Sequence, residues 1–155
     1  MVSHLDKKNN PILVDVGGKN ITHRTAEAEG EVVFDKITFK KIEKLKSKKG
    51  SIKNVAIVAG IMGAKETSKL IPLCHNIPID SVKIEITKNA KKNILIVNAK
   101  VKTSSRTGVE IEALTSVAVS CLTIYDICKY LNKSIKIKNI KLISKKGGKS
   151  GNFQA

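Results

Sequence analysis

Aromatic and arginine side chains are scarce in this chain of 155 residues. Phe, Trp and Tyr make up 3% of the sequence, and Arg24 and Arg106 are its only arginines. Proteins that bind single-stranded RNA stack bases on aromatic rings, and proteins that read base edges use bidentate arginine contacts. A dedicated nucleic-acid reader is therefore disfavoured, and the formal net charge of +16 is weak support for one. The same charge suits a polyanionic small substrate or an acidic membrane surface.

Long apolar runs and metal-binding cysteine clusters are missing as well. We find no apolar run of bilayer length, and the first residues, "MVSHLDKKNN", lack the apolar core of a signal peptide. We therefore expect a soluble, cytoplasmic protein that contacts no membrane. Cys74, Cys121 and Cys128 fit no zinc spacing, and no metal site is expected. The last two cysteines lie seven residues apart in an apolar helical pattern, which predicts buried reduced thiols.

The length suits a single domain with a substantial hydrophobic core. We predict one domain over residues 1–155, with residues 1–12 flexible and residues 1–27 irregular. Lys48, Lys49 and Gly50 are expected to end the first helix. Periodicity predicts strands and helices in the following order: a short strand at 29–34, helices at 38–47 and 51–71, a hairpin of strands at 82–87 and 95–101, a helix at 109–131 and a strand at 134–143.

This order of elements predicts an α+β fold. Strands that gather into one antiparallel sheet, with helices packed on one face, form a two-layer sandwich. Gly60 and Gly63 within the second helix predict close packing against another element. A loop bounded by Pro72 and Pro78 follows that helix.

The chain ends in a basic glycine turn, "LISKKGGKSG", followed by four residues. The nucleotide-triphosphatase loop needs another glycine where this chain has Ile143, so the turn is not that loop. Two interpretations stay open for Lys145, Lys146 and Lys149 around the paired glycines. They form either a flexible anion-binding turn or a solvated basic tail.

Titratable residues in the middle of the chain are the candidates for chemistry. His75, between the two prolines, is either a general acid/base and hydrogen-bond donor or a loop histidine bonded to backbone. Glu110 and Glu112 begin the long helix and are either functional or complements of the helix dipole. Asp126 and Lys129 interrupt an apolar run, either as a surface ion pair or as a functional pair.

The spacing of Glu112 and Asp126 predicts a shared site. The two residues are fourteen apart, so they lie about 21 Å apart along one straight helix. One small substrate cannot touch both on a single straight helix. If both serve one site, either different subunits supply them or Glu112 precedes the helix.

Several long motifs closely resemble the cyclic pyranopterin monophosphate synthase family (molybdenum cofactor biosynthesis protein C, the MoaC family). They are "VDVGGKNITHRTAEAEG", "AGIMGAKETSKLIPLCHNIPI", "TGVEIEALTSVAVSCLTIYDICKYL" and "KKGGKSG". The match runs from about Leu13 to Phe153. The chain departs from the family pattern at Asn76, where proline is usual, and at Glu66, where a basic residue is common. The change at Asn76 bears on the rigidity of the loop that carries His75.

The resemblance implies a lyase of molybdenum cofactor (molybdopterin) biosynthesis. Such an enzyme rearranges a cyclised dihydroguanosine triphosphate, derived from GTP, to cyclic pyranopterin monophosphate and releases pyrophosphate. The resemblance also implies a ferredoxin-like sandwich and a homohexamer, a trimer of dimers with the active site at a dimer interface. No tightly bound cofactor is expected, and Mg²⁺ bound with the triphosphate or pyrophosphate is left open.

The resemblance carries functional roles to particular residues. The catalytic candidates are Asp126, Lys129 and His75. The substrate-binding candidates are Leu73, Cys74, His75, Glu110, Ile111, Glu112, Lys49, Arg24, Lys145 and Lys149. The alternative interpretation is a non-catalytic basic α+β module for RNA or an acidic partner, which predicts lysines spread over the surface and steeply salt-dependent binding.

Overall fold

The computed structural model describes residues 4–44, 51–149 and 151–155, with backbone alone for residues 43 and 44. The expected end of the first helix at Lys48, Lys49 and Gly50 therefore lies outside the described residues. From His4 onwards the N-terminal segment closes a turn in which the Asp6 carboxylate accepts hydrogen bonds from the Lys8 and Asn10 amides at 2.7 and 2.8 Å. The expected flexibility of residues 1–12 stays a prediction.

In the described part of the chain, five strands form one antiparallel sheet. The strands are β1 (Thr22–Val33), β2 (Ser81–Asn89), β3 (Ile94–Ser105), β4 (Lys136–Lys146) and β5 (Phe153–Gln154). Their order across the sheet is β2-β3-β1-β4-β5. The long strand β1 is central and pairs with both β3 and β4.

Four helices complete the described fold: α1 (Lys36–Lys44), α2 (Ile52–Lys65), α3 (Thr67–Leu70) and α4 (Glu110–Cys128). Helix α4 packs on β1, β3 and β4, and α2 packs on α4 and β2. The core lies between this helical layer and the sheet. The predicted α+β, ferredoxin-like sandwich is confirmed.

The prediction that residues 1–27 are irregular was wrong at its C-terminal end. Strand β1 begins at Thr22, so the predicted strand at 29–34 is only its second half. Its buried side presents Ala26, Ala28, Gly30 and Val32, which are small or short side chains. Small buried residues contribute little hydrophobicity, so their alternation with charged exposed residues gives only a weak strand pattern in the sequence. The backbone of β1 nevertheless pairs with a neighbouring strand on each edge.

Helices α2 and α4 approach closely through small residues. A methyl group on Gly60 would lie 2.8 Å from the Ser116 carbonyl oxygen and would overlap the Ser120 hydroxyl. Ser120 Oγ donates to the Ala56 carbonyl across the same contact, at 2.9 Å. The predicted close packing at Gly60 and Gly63 is confirmed, because a methyl group on Gly63 would lie only 2.8 Å from the Val119 side chain.

The predicted single helix over 51–71 is divided in two. Glu66, with φ −98° and ψ 4°, ends α2 and precedes the short α3. Its carboxylate forms an exposed ion pair with Lys69 at 2.6 Å. This departure from the family pattern therefore lies at a helix break on the surface. Pro72 follows α3 as expected.

Helix α4 is the core helix of the domain. Among the described residues it alone has the length and mean hydropathy of a membrane span, 19 residues at 1.5, contrary to our finding of no apolar run of bilayer length. It packs against the sheet and α2, and core helices of folded domains meet the same criteria. Cys121 and Cys128 on this helix are buried free thiols, as predicted. Burial raises the pKa of Cys121 to about 12 and that of Cys128 to about 11.

The C-terminal strand extends further than predicted. Strand β4 continues through Lys145 and Lys146, because β1 pairs with both residues and β5 pairs with Lys145 on the opposite edge. The expectation that these two lysines belong to the flexible turn was wrong. The turn proper begins at Gly147, whose φ is +88°.

Candidate active site

A cavity of about 580 Å³ opens where the N-terminal segment crosses the start of α4. We call it the apolar cavity, because most of its lining surface is apolar. Two predicted substrate-binding segments, residues 73–75 and 110–112, meet there with the N-terminal segment. The lining residues are His4, Val14, Val16, Lys19, Ile71, Pro72, Leu73, Cys74, His75, Thr107, Gly108, Glu110, Ile111 and Glu112.

His75 is held by backbone, as the simpler of its two interpretations predicted, and it also lines the cavity. Its Nε2 lies 2.7 Å from the Val14 carbonyl oxygen. A carbonyl only accepts, so Nε2 carries the proton and Nδ1 is the accepting nitrogen of the neutral ring. The contact therefore fixes both the orientation and the tautomer of the imidazole.

Glu112 is the buried carboxyl group of the cavity, with 5% of its surface exposed. Burial raises its pKa, and the neighbouring charge of Glu110 raises it further against the opposing effect of its own backbone amide. Burial and the charge of Glu112 also raise the pKa of the Cys74 thiol. Glu112 is thus suited to hold and donate a proton, whereas Cys74 is a protonated thiol and a poor nucleophile.

The loop between Pro72 and Pro78 brings its side chains to the cavity through a strained residue. Leu73 has φ +64°, in the left-handed region that leucine rarely adopts. Strain of this kind persists where the surroundings fix the backbone, and it is concentrated at functional sites. Asn76 follows His75 on the exposed side of the loop and does not line the cavity.

Glu110 joins the start of α4 to the end of β4. Its Oε1 lies 3.1 Å from Lys145 Nζ, and both side chains are about three-quarters buried. This pairing differs from a simple complement of the helix dipole, because it fixes a lysine of the predicted substrate-binding set beside the cavity. Lys145 and Glu110 therefore do lie together, as the predicted site requires.

A second cavity, of about 410 Å³, adjoins the first. We call it the basic cavity, because Lys19, Arg24, Arg106 and Lys149 line it with Thr107, Gly108 and Glu110. Within the part of the chain that the structure describes, none of these four cations forms an ion pair with a carboxylate. The cavity therefore offers uncompensated positive charge to an anion.

The glycine turn forms one wall of the basic cavity. Arg24 donates from Nε to the Ser105 carbonyl at 3.1 Å and from Nη2 to the Arg106 carbonyl at 3.0 Å. Gly148, with φ +86°, lies directly against the Arg24 guanidinium, where any side chain would overlap it. The turn is thus packed onto the site, which favours the anion-binding interpretation over that of a solvated tail.

Asp126 and Lys129 lie at the opposite end of α4 and line neither cavity. Their ion pair, at 2.6 Å, is solvent-exposed, as the surface-pair interpretation predicted. The hydrogen bond and charge of Asp126 raise the pKa of Lys129. Glu112 lies within α4, so the alternative that it precedes the helix was wrong. One chain therefore does not bring the two halves of the predicted site together.

Among the described residues, no group of three or more His, Cys, Asp or Glu side chains is placed to hold a metal ion. The expectation of no tightly bound cofactor stays a prediction. Lys49, the remaining predicted substrate-binding residue, lies outside the described residues.

Comparison with known proteins decides the family. The model of the MoaC family matches residues 13–148. The chain belongs to the MoaC family. Three predictions are thereby confirmed: the chain has relatives that are cyclic pyranopterin monophosphate synthases, it is an enzyme, and it is a lyase of molybdenum cofactor biosynthesis.

Relatives of nearly equal length carry the same name. A cyclic pyranopterin monophosphate synthase of Clostridium botulinum is 49% identical over 97% of this chain and 95% of its own length. Synthases of Campylobacter jejuni and Cereibacter sphaeroides are each 46% identical, over 98% and 99% of this chain and 97% of their own lengths.

Four polar lining residues of this MoaC-family chain were missed by sequence reasoning: His4, Lys19, Arg106 and Thr107. Two of them carried a usable signal. Arg106 is one of only two arginines and lies four residues before the start of α4, and Lys19 lies in the "VDVGGKN" motif that supported the resemblance. His4 and Thr107 gave no such signal, because only the folded chain brings them to the cavities.

Proposed function

We propose that this chain converts a cyclised dihydroguanosine triphosphate to cyclic pyranopterin monophosphate and pyrophosphate. The observation that carries the proposal is the pair of joined cavities, one apolar with a buried carboxyl group and one lined by four cations. A nucleotide triphosphate has the matching division, with an aromatic ring system at one end and a polyanion at the other.

The ring system belongs in the apolar cavity. Aliphatic walls exclude water there, while Glu112 and His75 supply a proton donor and an acceptor at ring nitrogens and sugar oxygens. The ring of the substrate must open and close again as a pterin, which requires several proton transfers. With Nε2–H committed to Val14, His75 acts through Nδ1.

The triphosphate belongs in the basic cavity. Lys149, Arg24 and Arg106 surround it, and Lys145 lies at its edge through Glu110. When a sugar hydroxyl attacks the innermost phosphorus, negative charge leaves with pyrophosphate, and these cations stabilise it. Mg²⁺, where it takes part, would arrive bound to the phosphates.

A second copy of the chain supplies Asp126 and Lys129. Asp126 lies about 21 Å from Glu112 along α4, which is too far for one small substrate to contact both. We propose a homo-oligomer, a hexamer built as a trimer of dimers, in which the exposed end of α4 of one subunit meets the cavities of another. There Asp126 acts as the central acid/base group, with Lys129 as its charged partner. We further propose that the assembly works in the cytoplasm, and that neither nucleic acid nor a membrane is its partner.

The direct test is turnover of the cyclised dihydroguanosine triphosphate by the purified oligomer, with and without Mg²⁺, measuring pyrophosphate and pterin product together. Both products should appear in equal amounts, and Asp126→Asn should abolish both. Lys53→Ala, a change outside both cavities, is the matched control and should retain full activity.

The absence of both products from a correctly assembled oligomer would refute the proposed reaction. Full turnover by Asp126→Asn would refute the role of Asp126 alone. The rival RNA-binding interpretation would then be tested by the salt dependence of RNA binding.

A further inference from the structure

Lys19 lies on the border between the two cavities. Four residues line both cavities, namely Lys19, Thr107, Gly108 and Glu110, and Lys19 is the one cation among them. It is not among the residues to which the sequence resemblance carried a role. The border is also the only place where a ligand spanning both described cavities must pass from one to the other.

The backbone of Lys19 is firmly placed while its side chain is exposed. Its carbonyl accepts a hydrogen bond from Arg106 Nε at 3.1 Å, and its amide donates to the Val16 carbonyl at 3.1 Å. The turn that leads to it is closed by the Asp15 carboxylate, which accepts from the Gly17 amide at 2.7 Å. The stem of the side chain therefore starts from a fixed point beside Arg106.

The ammonium group of Lys19 has no carboxylate partner among the described residues, in contrast to that of Lys145, which lies 3.1 Å from Glu110. A lysine held by an internal ion pair must exchange that partner for a ligand. Lys19 has no such exchange to make, so its charge is available to a ligand that crosses the border.

We propose that Lys19 binds the innermost phosphate of the substrate, the phosphate that stays in the product. This inference rests on the proposed function and deepens it. With the ring in the apolar cavity and the outer phosphates in the basic cavity, the phosphate that connects them lies at the border. Lys149, which lines the basic cavity but not the apolar cavity, then binds the outer phosphates.

The bond changes define what Lys19 does. The oxygen of a sugar hydroxyl forms a bond to the innermost phosphorus, and its proton passes to a general base. The bond from that phosphorus to the bridging oxygen breaks, and pyrophosphate leaves with the electron pair. In the transition state, while one bond forms and the other breaks, negative charge is spread over the oxygens around the innermost phosphorus. A fixed ammonium beside these oxygens stabilises the charge and lowers the activation barrier.

The experiment compares Lys19→Met, Lys19→Arg and Lys149→Met, with Lys7→Met as a control on an exposed lysine of the same segment that lines neither cavity. Turnover is measured with the cyclised dihydroguanosine triphosphate. Lys19→Met should lower kcat by about 100- to 1,000-fold, the usual range for removing one donor that stabilises charge at a transition state. Lys19→Arg should recover part of this loss, and Lys7→Met should match the wild type.

Binding of inorganic phosphates separates the innermost site from the outer ones. Lys19→Met should weaken tripolyphosphate binding but leave pyrophosphate binding unchanged, because pyrophosphate occupies only the outer positions. Lys149→Met should weaken both. Equal weakening of pyrophosphate and tripolyphosphate by Lys19→Met would overturn the assignment to the innermost phosphate.

The two proposals fail in different ways. A wild-type oligomer that binds tripolyphosphate through Lys19 but forms no pterin product would contradict the proposed reaction and leave the phosphate site standing. A Lys19→Met variant with wild-type kcat and wild-type tripolyphosphate binding would overturn the role of Lys19, whatever the reaction.

Discussion

Mixed oligomers test whether two copies share one active site. Glu112 lines the apolar cavity, and Asp126 lies about 21 Å away along the same helix. We therefore expect Glu112→Gln and Asp126→Asn each to inactivate the enzyme, and co-expression of the two variants to restore activity. In a randomly mixed oligomer, a site needs an intact Glu112 from one copy and an intact Asp126 from the other. Each condition is met half of the time, so about a quarter of wild-type activity should return.

The assay is pyrophosphate release by oligomers that carry two different affinity tags, one on each variant. Wild type mixed with the double variant provides the matched control. If two copies share the site, this mixture also gives about a quarter of full activity, whereas a site within one copy gives about half. No activity in the first mixture together with half in the second, from oligomers shown to contain both chains, would refute the shared site.

Three further substitutions test the structure around the site. Gly148→Ala, at φ +86°, should weaken pyrophosphate binding, because the new methyl group would overlap the Arg24 guanidinium. Gly151→Ala, at φ +74° in open space, should cost only backbone strain of about 1–2 kcal/mol and retain binding. Calorimetry measures the binding of pyrophosphate by both variants. Equal binding by both variants would contradict this account. Gly60→Ala should lower the free energy of unfolding by up to about 2 kcal/mol, because overpacking costs about 1–3 kcal/mol against a gain of about 1 kcal/mol in helix propensity. Adding Ser120→Ala removes the hydroxyl that the new methyl group overlaps, so it should recover part of this loss in denaturant melts. Stabilisation by Gly60→Ala alone would contradict the tight packing, because it would show that α2 and α4 move apart at little cost. Because burial raises the pKa of Glu112 above 4.5, the folded chain binds its proton more tightly than the unfolded chain, so stability falls as pH rises from about 4.5 through the folded pKa. Glu112→Gln should flatten that part of the stability profile, and an unchanged profile would argue against a perturbed carboxyl group.

Sequence pattern predicted best where one face of an element is strongly apolar. Strands β2 and β3 alternate aliphatic and charged residues, and both were predicted as a hairpin within a few residues of their ends. Strand β1 was only half predicted, because Ala26, Ala28 and Gly30 are buried without being strongly hydrophobic. The break at Glu66 gave no signal, since neither proline nor glycine marks it.

The candidate site could be predicted as segments, but not as an enclosed space. The resemblance pointed to His75, Glu110 and Glu112, and the fold places all three around one cavity. Lys19 and Arg106 join them through a hydrogen bond between residues 87 positions apart. A contact of that sequence separation leaves no local pattern, because it depends on how β1 and β3 pair.

The hydrogen bond between His75 and Val14 bears on how the enzyme tolerates mutation. The acceptor is a backbone carbonyl, so any amino acid at position 14 supplies it, and a point substitution there leaves the tautomer of His75 unchanged. An aspartate or asparagine in the same place could be lost in one step. Amino-acid substitutions in the N-terminal segment therefore leave the His75 imidazole in place, whereas changes in the backbone course of that segment would displace it. A shortened or lengthened segment between His4 and Lys19 would alter the histidine without touching any residue of the reaction.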